Sequence, residues 1–214
     1  MFTFSHYKNS GYASANQGYY SKLKKLGVNV NQSLPKITAQ QVNKFLDEDY
    51  SSFFDPFPVA PVASCSYLCG HDPLVVGLEK LFGCKAYTIY GYVKTPIKNY
   101  HYFDDVGVRR ALSGEIFSSH HAWFQFENGQ LLDLVFMNTL RVANKLLDVT
   151  ENKFEFILSE DGSNVGTPTD LSIVEEITPN SYFRYVPMFH GKMFNNSDLM
   201  ARAIATNNMV GWIS

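Results

Sequence analysis

His121-Ala122-Trp123-Phe124-Gln125-Phe126, then Glu127-Asn128-Gly129, then Gln130-Leu131-Leu132-Asp133 is the stretch that decides the fold. Polar and apolar residues alternate, a turn signal follows, and an apolar run returns, which is the pattern of a β-hairpin. Side chains alternate faces along a strand. Ala122, Phe124 and Phe126 therefore share one face, and His121, Trp123, Gln125 and Glu127 the other. Loop length fixes what lies opposite. A two-residue Asn128-Gly129 loop would pair Phe124 with Asp133, placing a carboxylate among phenylalanines. A three-residue loop, Glu127-Asn128-Gly129 with Gly129 left-handed, pairs Trp123 with Asp133. Leu132, Leu134 and Phe136 then join the phenylalanine face, and His121 lies diagonal to Asp133. An unpaired buried carboxylate costs several kcal/mol, far more than separates two turn types, so the three-residue loop is expected. It makes His121 a base with Asp133 as its orienting partner, and turns His120 into or beside the apolar layer. The same spacing also fits a surface pair worth less than about 1 kcal/mol.

Three cysteines lie upstream, at Cys65, Cys69 and Cys84. A thiol, an imidazole and a carboxylate in that order are the parts of a cysteine-nucleophile site. A thiol is activated at a helix N-terminus, where the dipole and free N–H groups favour thiolate. Asp72-Pro73 reads as a helix start, Asp as N-cap and Pro as first helical residue. Leu74, Val75, Leu78, Leu81 and Phe82 give the buried face and Gly83 the stop. Cys69 lies three residues before that cap and Cys65 a further turn upstream. Cys84 opens the following strand, Cys84 to Val93, and reads as a buried hydrophobe.

The remaining chain is organised around these parts. Residues 1–35, rich in Ser, Asn, Gly and Tyr, read as an arm that packs late or meets a partner. Thr38 and Gln41 have capping-box spacing ahead of Ala39, Val42, Phe45 and Leu46 on one helical face. Asp55 to Pro61 is an extended connector, because its prolines suit neither helix nor central strand. Residues 99–119 are irregular. Strands are expected at His120 to Glu127, Gln130 to Phe136, Phe154 to Leu158 and Tyr182 to Phe189, and a short helix after Ser197. The division is an N-terminal arm and helix over residues 1–60, then a cysteine-enzyme domain with a C-terminal extension over residues 61–214.

Composition narrows the function classes. Charged residues are 18% against an ordinary share of about 25%, and net charge is −2, with no long stripe of Lys and Arg. A nucleic-acid footprint is therefore not expected. No run approaches about 18 apolar residues, so no membrane span is expected. Met1 to Gly27 lacks a signal-type apolar core, which points to a cytoplasmic protein. The odd cysteine count argues against a disulfide framework.

At these residues the chain resembles the transglutaminase-like group of papain-like cysteine enzymes. There, a cysteine opens a helix ending in a Leu-Gly-type step, a strand with a Gly-Tyr step follows, and His-Ala-Trp and Asp come on the next two strands. Here Phe82-Gly83, Gly91-Tyr92, His121-Ala122-Trp123 and Asp133 stand in that order. The likeness covers about residues 62 to 137. Cys65-Ser66-Tyr67-Leu68 also looks like the nucleophile segment of cell-wall endopeptidases of the same clan. The resemblance implies an α+β, papain-like (transglutaminase-like) core, with a cysteine-bearing helix packed on an antiparallel sheet. It implies a catalytic Cys69, His121 and Asp133, with Cys65 as alternative nucleophile and Trp123 as cleft wall or core. It implies amide-bond hydrolysis or acyl transfer on a protein or peptide, with no cofactor. Pro73, four residues after Cys69, departs from the family helix.

Two other readings stay open. Cys65, Cys69 and His71, with His120 or His121, could ligate zinc, although no second CxxC or HxxxH pair supports it. The Tyr-rich start, with Tyr7, Tyr12, Tyr19 and Tyr20, fits a catalytically inactive protein-binding module of the same fold. His6, His101 and His190 have no partner at motif spacing and read as surface or satisfied histidines.

Overall fold

A computed structural model describes residues 18–54, 64–94, 99–101, 120–143, 155–163, 165–166 and 182–191. Its architecture is α+β: helices pack on both faces of an antiparallel sheet. The helices are α1 (Tyr19–Lys25), α2 (Ala39–Glu48), α3 (Cys65–Gly70), α4 (Asp72–Phe82) and α5 (Phe136–Ala143). The strands are β1 (Ala86–Lys94), β2 (Asn99–Tyr100), β3 (His121–Phe126), β4 (Leu131–Asp133), β5 (Ile157–Ser159), β6 (Val165–Gly166) and β7 (Tyr182–His190). The sheet runs β5-β4-β3-β1-β7-β6, with β2 on β1. The central pairs β4–β3, β3–β1 and β1–β7 are all antiparallel.

The hairpin adopts the register that burial dictates. Phe124 faces Leu132 and Gln125 faces Leu131, so the same register sets Trp123 against Asp133. Gly129 takes φ +93° and its N–H returns to the Phe126 carbonyl at 3.0 Å, the left-handed residue of a three-residue loop. The return strand is shorter than expected. It ends at Asp133, because the Asp133 carboxylate takes the Val135 and Phe136 N–H groups and starts α5 there.

The two faces of β3 are covered by different parts of the chain. On the phenylalanine face, Phe82 of α4 packs edge-on to Phe126 at 5.5 Å. There Thr88, opposite Phe124, donates its hydroxyl to the Cys69 carbonyl and fastens α3 to β1. On the other face lies α1. Tyr19 donates to Gln125 Oε1 at 2.6 Å and accepts from Trp123 Nε1 at 3.2 Å. The stretch from Tyr19 is thus a core helix and not an arm: Tyr19, Leu23 and Leu26 are buried in the same apolar cluster as Trp123. Residues 1–17 of the expected arm, the 55–61 connector and the expected helix after Ser197 lie outside the described residues.

The capping box at Thr38 and Gln41 is formed as expected and opens α2. Gly83 caps α4 at φ +65°. One boundary differs, with consequences for the site. His71 is extended (φ −81°, ψ 103°) and Pro73 sits in the first turn of α4, so the segment before it is a separate helix, α3. Pro is tolerated in a first turn, where its missing N–H would have had no partner. No described helix is long and apolar enough to cross a membrane.

Candidate functional site

Asp133 is where the site is anchored. Its Oδ1 accepts from Val135 N at 2.9 Å and Phe136 N at 3.0 Å. Its Oδ2 accepts from His121 Nε2 at 2.6 Å and from the Tyr185 hydroxyl at 2.7 Å. A buried carboxylate is tolerable only when its lone pairs are filled, and here four donors fill them. Burial raises the carboxyl pKa, but the His121 charge and hydrogen bond, the Tyr185 hydroxyl and the Val135 amide hold it below the ordinary range. Asp133 thus does two things: it caps α5 and fixes an imidazole.

His121 is equally enclosed. Its side chain and that of Asp133 are 2% and 0% exposed, which removes the surface-pair reading. Burial alone would push the imidazole pKa down; the Asp133 charge and hydrogen bond, with Cys65 adding, carry it up to about 10. His121 is therefore an imidazolium at neutral pH, paired with a carboxylate. Its ring stands among aromatic neighbours: Trp123 at 6.0 Å, Phe136 at 5.4 Å, Tyr185 at 6.2 Å and His101 at 5.8 Å.

The thiol that meets this imidazole is Cys65. It opens α3, and its thiol lies near enough to His121 to help raise the imidazole pKa. With Nε2 committed to Asp133, Nδ1 is the nitrogen left for the thiol. Cys65 is half-buried, and its sulfur also lies 4.0 Å from the His120 carbonyl and 4.0 Å from Ser66 Oγ. Cys69, preferred from sequence, lies one turn on and is buried. Burial pushes its thiol pKa well up, and the Cys65 and Asp133 charges push it further. The chain breaks from helix at His71, so Cys65 and not Cys69 stands at a helix start. Cys84 is buried at the entry to β1, as expected.

Several other expectations change. Trp123 does not wall a cleft: it is fully buried, with Tyr185 edge-on at 5.0 Å. The zinc reading loses its ligands. His71 Nε2–H donates to the Phe53 carbonyl at 2.9 Å, and no group of three or more His, Cys, Asp or Glu among the described residues is gathered to hold a metal. His120 sits beside the apolar layer as expected, its Nε2 hydrogen-bonded to Ser66 Oγ and its ring 5.9 Å from Tyr90.

The sequence reading missed Tyr185 and His101. Neither stands at motif spacing from His121; Tyr185 arrives because β7 pairs with β1, bringing Tyr185 opposite Val93. A signal existed in Gly91. A Cβ there would overlap the Val186 carbonyl oxygen and lie 2.8 Å from Trp123 Cη2. Glycine inside a strand marks close approach of another backbone, and here it lets β7 close over the His121 face.

No protein-family model, no curated protein and no solved structure matches the chain.

Proposed function

We propose that this chain is a thiol acyl-enzyme hydrolase or acyl transferase acting on amide bonds of a protein or peptide. Its core is papain-like, of the transglutaminase-like kind. The observation that carries the reading is one buried imidazole held by the Asp133 carboxylate on Nε2 at 2.6 Å, with the Cys65 thiol near enough to help raise its pKa. A nucleophile, a base and an orienting group gathered in one place are the parts that covalent catalysis requires.

The chemistry follows from that order. The Nδ1 proton of the His121 imidazolium is the one that Cys65 Sγ–H gives up, which leaves a thiolate beside it. The elevated imidazole pKa favours this ion pair. The thiolate attacks the amide carbonyl, forming the S–C bond. The oxygen gathers negative charge and is met by the Cys65 backbone N–H, one of the first-turn donors without an intrahelical partner. His121 then gives its proton to the departing nitrogen as the C–N bond breaks. Water or an amine, deprotonated by His121, attacks the thioester; the S–C bond breaks and the thiolate returns. Asp133 keeps the Nε2 proton in place throughout and compensates the imidazolium charge.

The test is iodoacetamide labelling of the folded protein at about pH 6, read by intact mass and peptide mapping. An ordinary thiol has a pKa of about 8.5 and reacts slowly there. Fast single labelling of Cys65, lost in His121→Ala, is expected. Fast labelling of Cys69 instead would move the nucleophile. Labelling of no cysteine before denaturation would refute the enzyme reading and leave an inactive binding module of this fold.

A further inference from the structure

We propose that His101 is a positioning residue for His121: its ring stacks on the imidazole and holds it in the rotamer that presents Nδ1 to Cys65. The inference rests on the reading of His121 as the base of Cys65, and adds a residue that no motif assigns to the site.

His101 is the only non-glycine residue at positive φ among the described residues, at φ +57°. That region disfavours a side chain by roughly 1–2 kcal/mol. Such strain persists only where the surroundings over-determine it, and it collects at functional sites. Here the surroundings are visible. Strand β2 pairs Tyr100 with Val93 and Asn99 with Lys94 of β1. The Tyr100 ring then packs edge-on to Phe136 at 5.4 Å, and Phe136 packs on His121 at 5.4 Å. With Tyr100 fixed in this way, the left-handed turn brings the His101 ring over His121, at 5.8 Å and 22° between planes. Trp123 stacks on the same imidazole at 6.0 Å and 24°. A ring stacked against both cannot turn about its own axis without breaking these contacts.

Charge supports the same assignment. Burial and the His121 charge push the His101 pKa down to about 4, against a smaller opposing pull from Asp133. Among the described residues, the other titratable groups facing His121 are Asp133 on β4, Tyr185 on β7 and Cys65 on α3. His101 is thus the neutral flat partner of a charged ring: it covers the imidazolium without adding a second positive charge.

The test compares His101→Asn with His101→Phe in the full chain, using iodoacetamide on Cys65 across pH 5–9. Asn tolerates the left-handed backbone but has no ring, so it separates the stack from the strain. The expected result is a rate at pH 6 lower by on the order of tenfold in His101→Asn, the scale of a small misplacement at a reacting group. Its pH profile moves toward that of an ordinary thiol, with the thermal midpoint unchanged or raised. His101→Phe, which keeps a flat uncharged ring, retains the wild-type profile. A wild-type profile in His101→Asn overturns the inference while leaving the Cys65–His121 reading intact. Equal loss in His101→Phe overturns the stacking account. Absence of fast His121-dependent labelling in the wild type removes both.

Discussion

Replacing Asp133 by Asn changes one atom and tests the centre of the structure. The Asn oxygen can still accept from Val135 and Phe136, the bonds that Asp133 makes at 2.9 and 3.0 Å, so the start of α5 survives. The side-chain NH2 then faces His121 Nε2 and the Tyr185 hydroxyl, which donate to Asp133 at 2.6 and 2.7 Å. Two donors meeting a donor are incompatible, so His121 must give up its Nε2 proton and keep the one on Nδ1, and Tyr185 must turn its hydroxyl. The imidazole becomes neutral, with the wrong nitrogen protonated toward Cys65. Removing one partner of a buried ion pair costs about 3–5 kcal/mol; because His121 can discharge instead of remaining an unpaired cation, the lower end, about 3 kcal/mol, is expected.

The cost depends on pH. The folded pKa of His121 is raised, to about 10, so its contribution is full below the ordinary imidazole value of 6.5 and is lost as pH rises through about 10. The folded pKa of Asp133 is lowered, so its contribution is full above the ordinary 3.8 and is lost as pH falls through the depressed folded value. These are two views of one pair and do not add. The variant should therefore lose most between about pH 4 and 6.5 and progressively less toward pH 10. Urea unfolding of both proteins at pH 6 and pH 9.5 measures this, in a Cys65→Ser background that removes thiol ionisation. A deficit of about 3 kcal/mol at pH 6, at least halved at pH 9.5, is the expected result. Equal deficits at the two pH values, or one under about 1 kcal/mol at pH 6, would refute a buried, charged His121–Asp133 pair.

Two further substitutions probe the surroundings. Gly91→Ala should destabilise by about 3 kcal/mol or prevent folding, because its Cβ overlaps the Val186 backbone oxygen and no rotamer change relieves a backbone clash; urea unfolding or loss of soluble protein reads it, and a near-neutral effect would contradict the β1–β7 spacing. Tyr185→Phe removes one of four donors to the carboxylate, so a loss of about 1.5–3 kcal/mol is expected from a hydrogen bond to a charged group, together with a higher Asp133 pKa by NMR; an unchanged carboxyl titration would refute the bond.

Legibility in the sequence followed distance along the chain. The hairpin register could be read because its determinants lie within 13 residues: the alternation from His121 to Phe126, Gly129, and the cost of putting Asp133 among phenylalanines. The caps at Thr38 and Gly83 were legible for the same reason, since a cap is a contact between near neighbours. Helix α1 was not: its N-cap is Gly18 with no side-chain hydrogen bond, and a seven-residue helix has little intrinsic stability. It exists because Tyr19 and Leu23 are buried against the sheet.

The sequence by itself determined which imidazole meets which carboxylate, because strand alternation and a left-handed glycine leave one register that keeps Asp133 out of the apolar layer. Only the tertiary structure decided which cysteine lies at the helix start beside them. The spacing of Cys65 and Cys69 from Asp72 favoured Cys69, yet α3 is a separate helix fastened to β1 through Thr88, and this sets its first residue against His121 while burying Cys69. Tyr185 and His101 belong to the same class. They reach His121 through the pairing of β7 and β2 with β1, and pairing between distant strands is selected by the burial of the whole sheet, which no local stretch encodes.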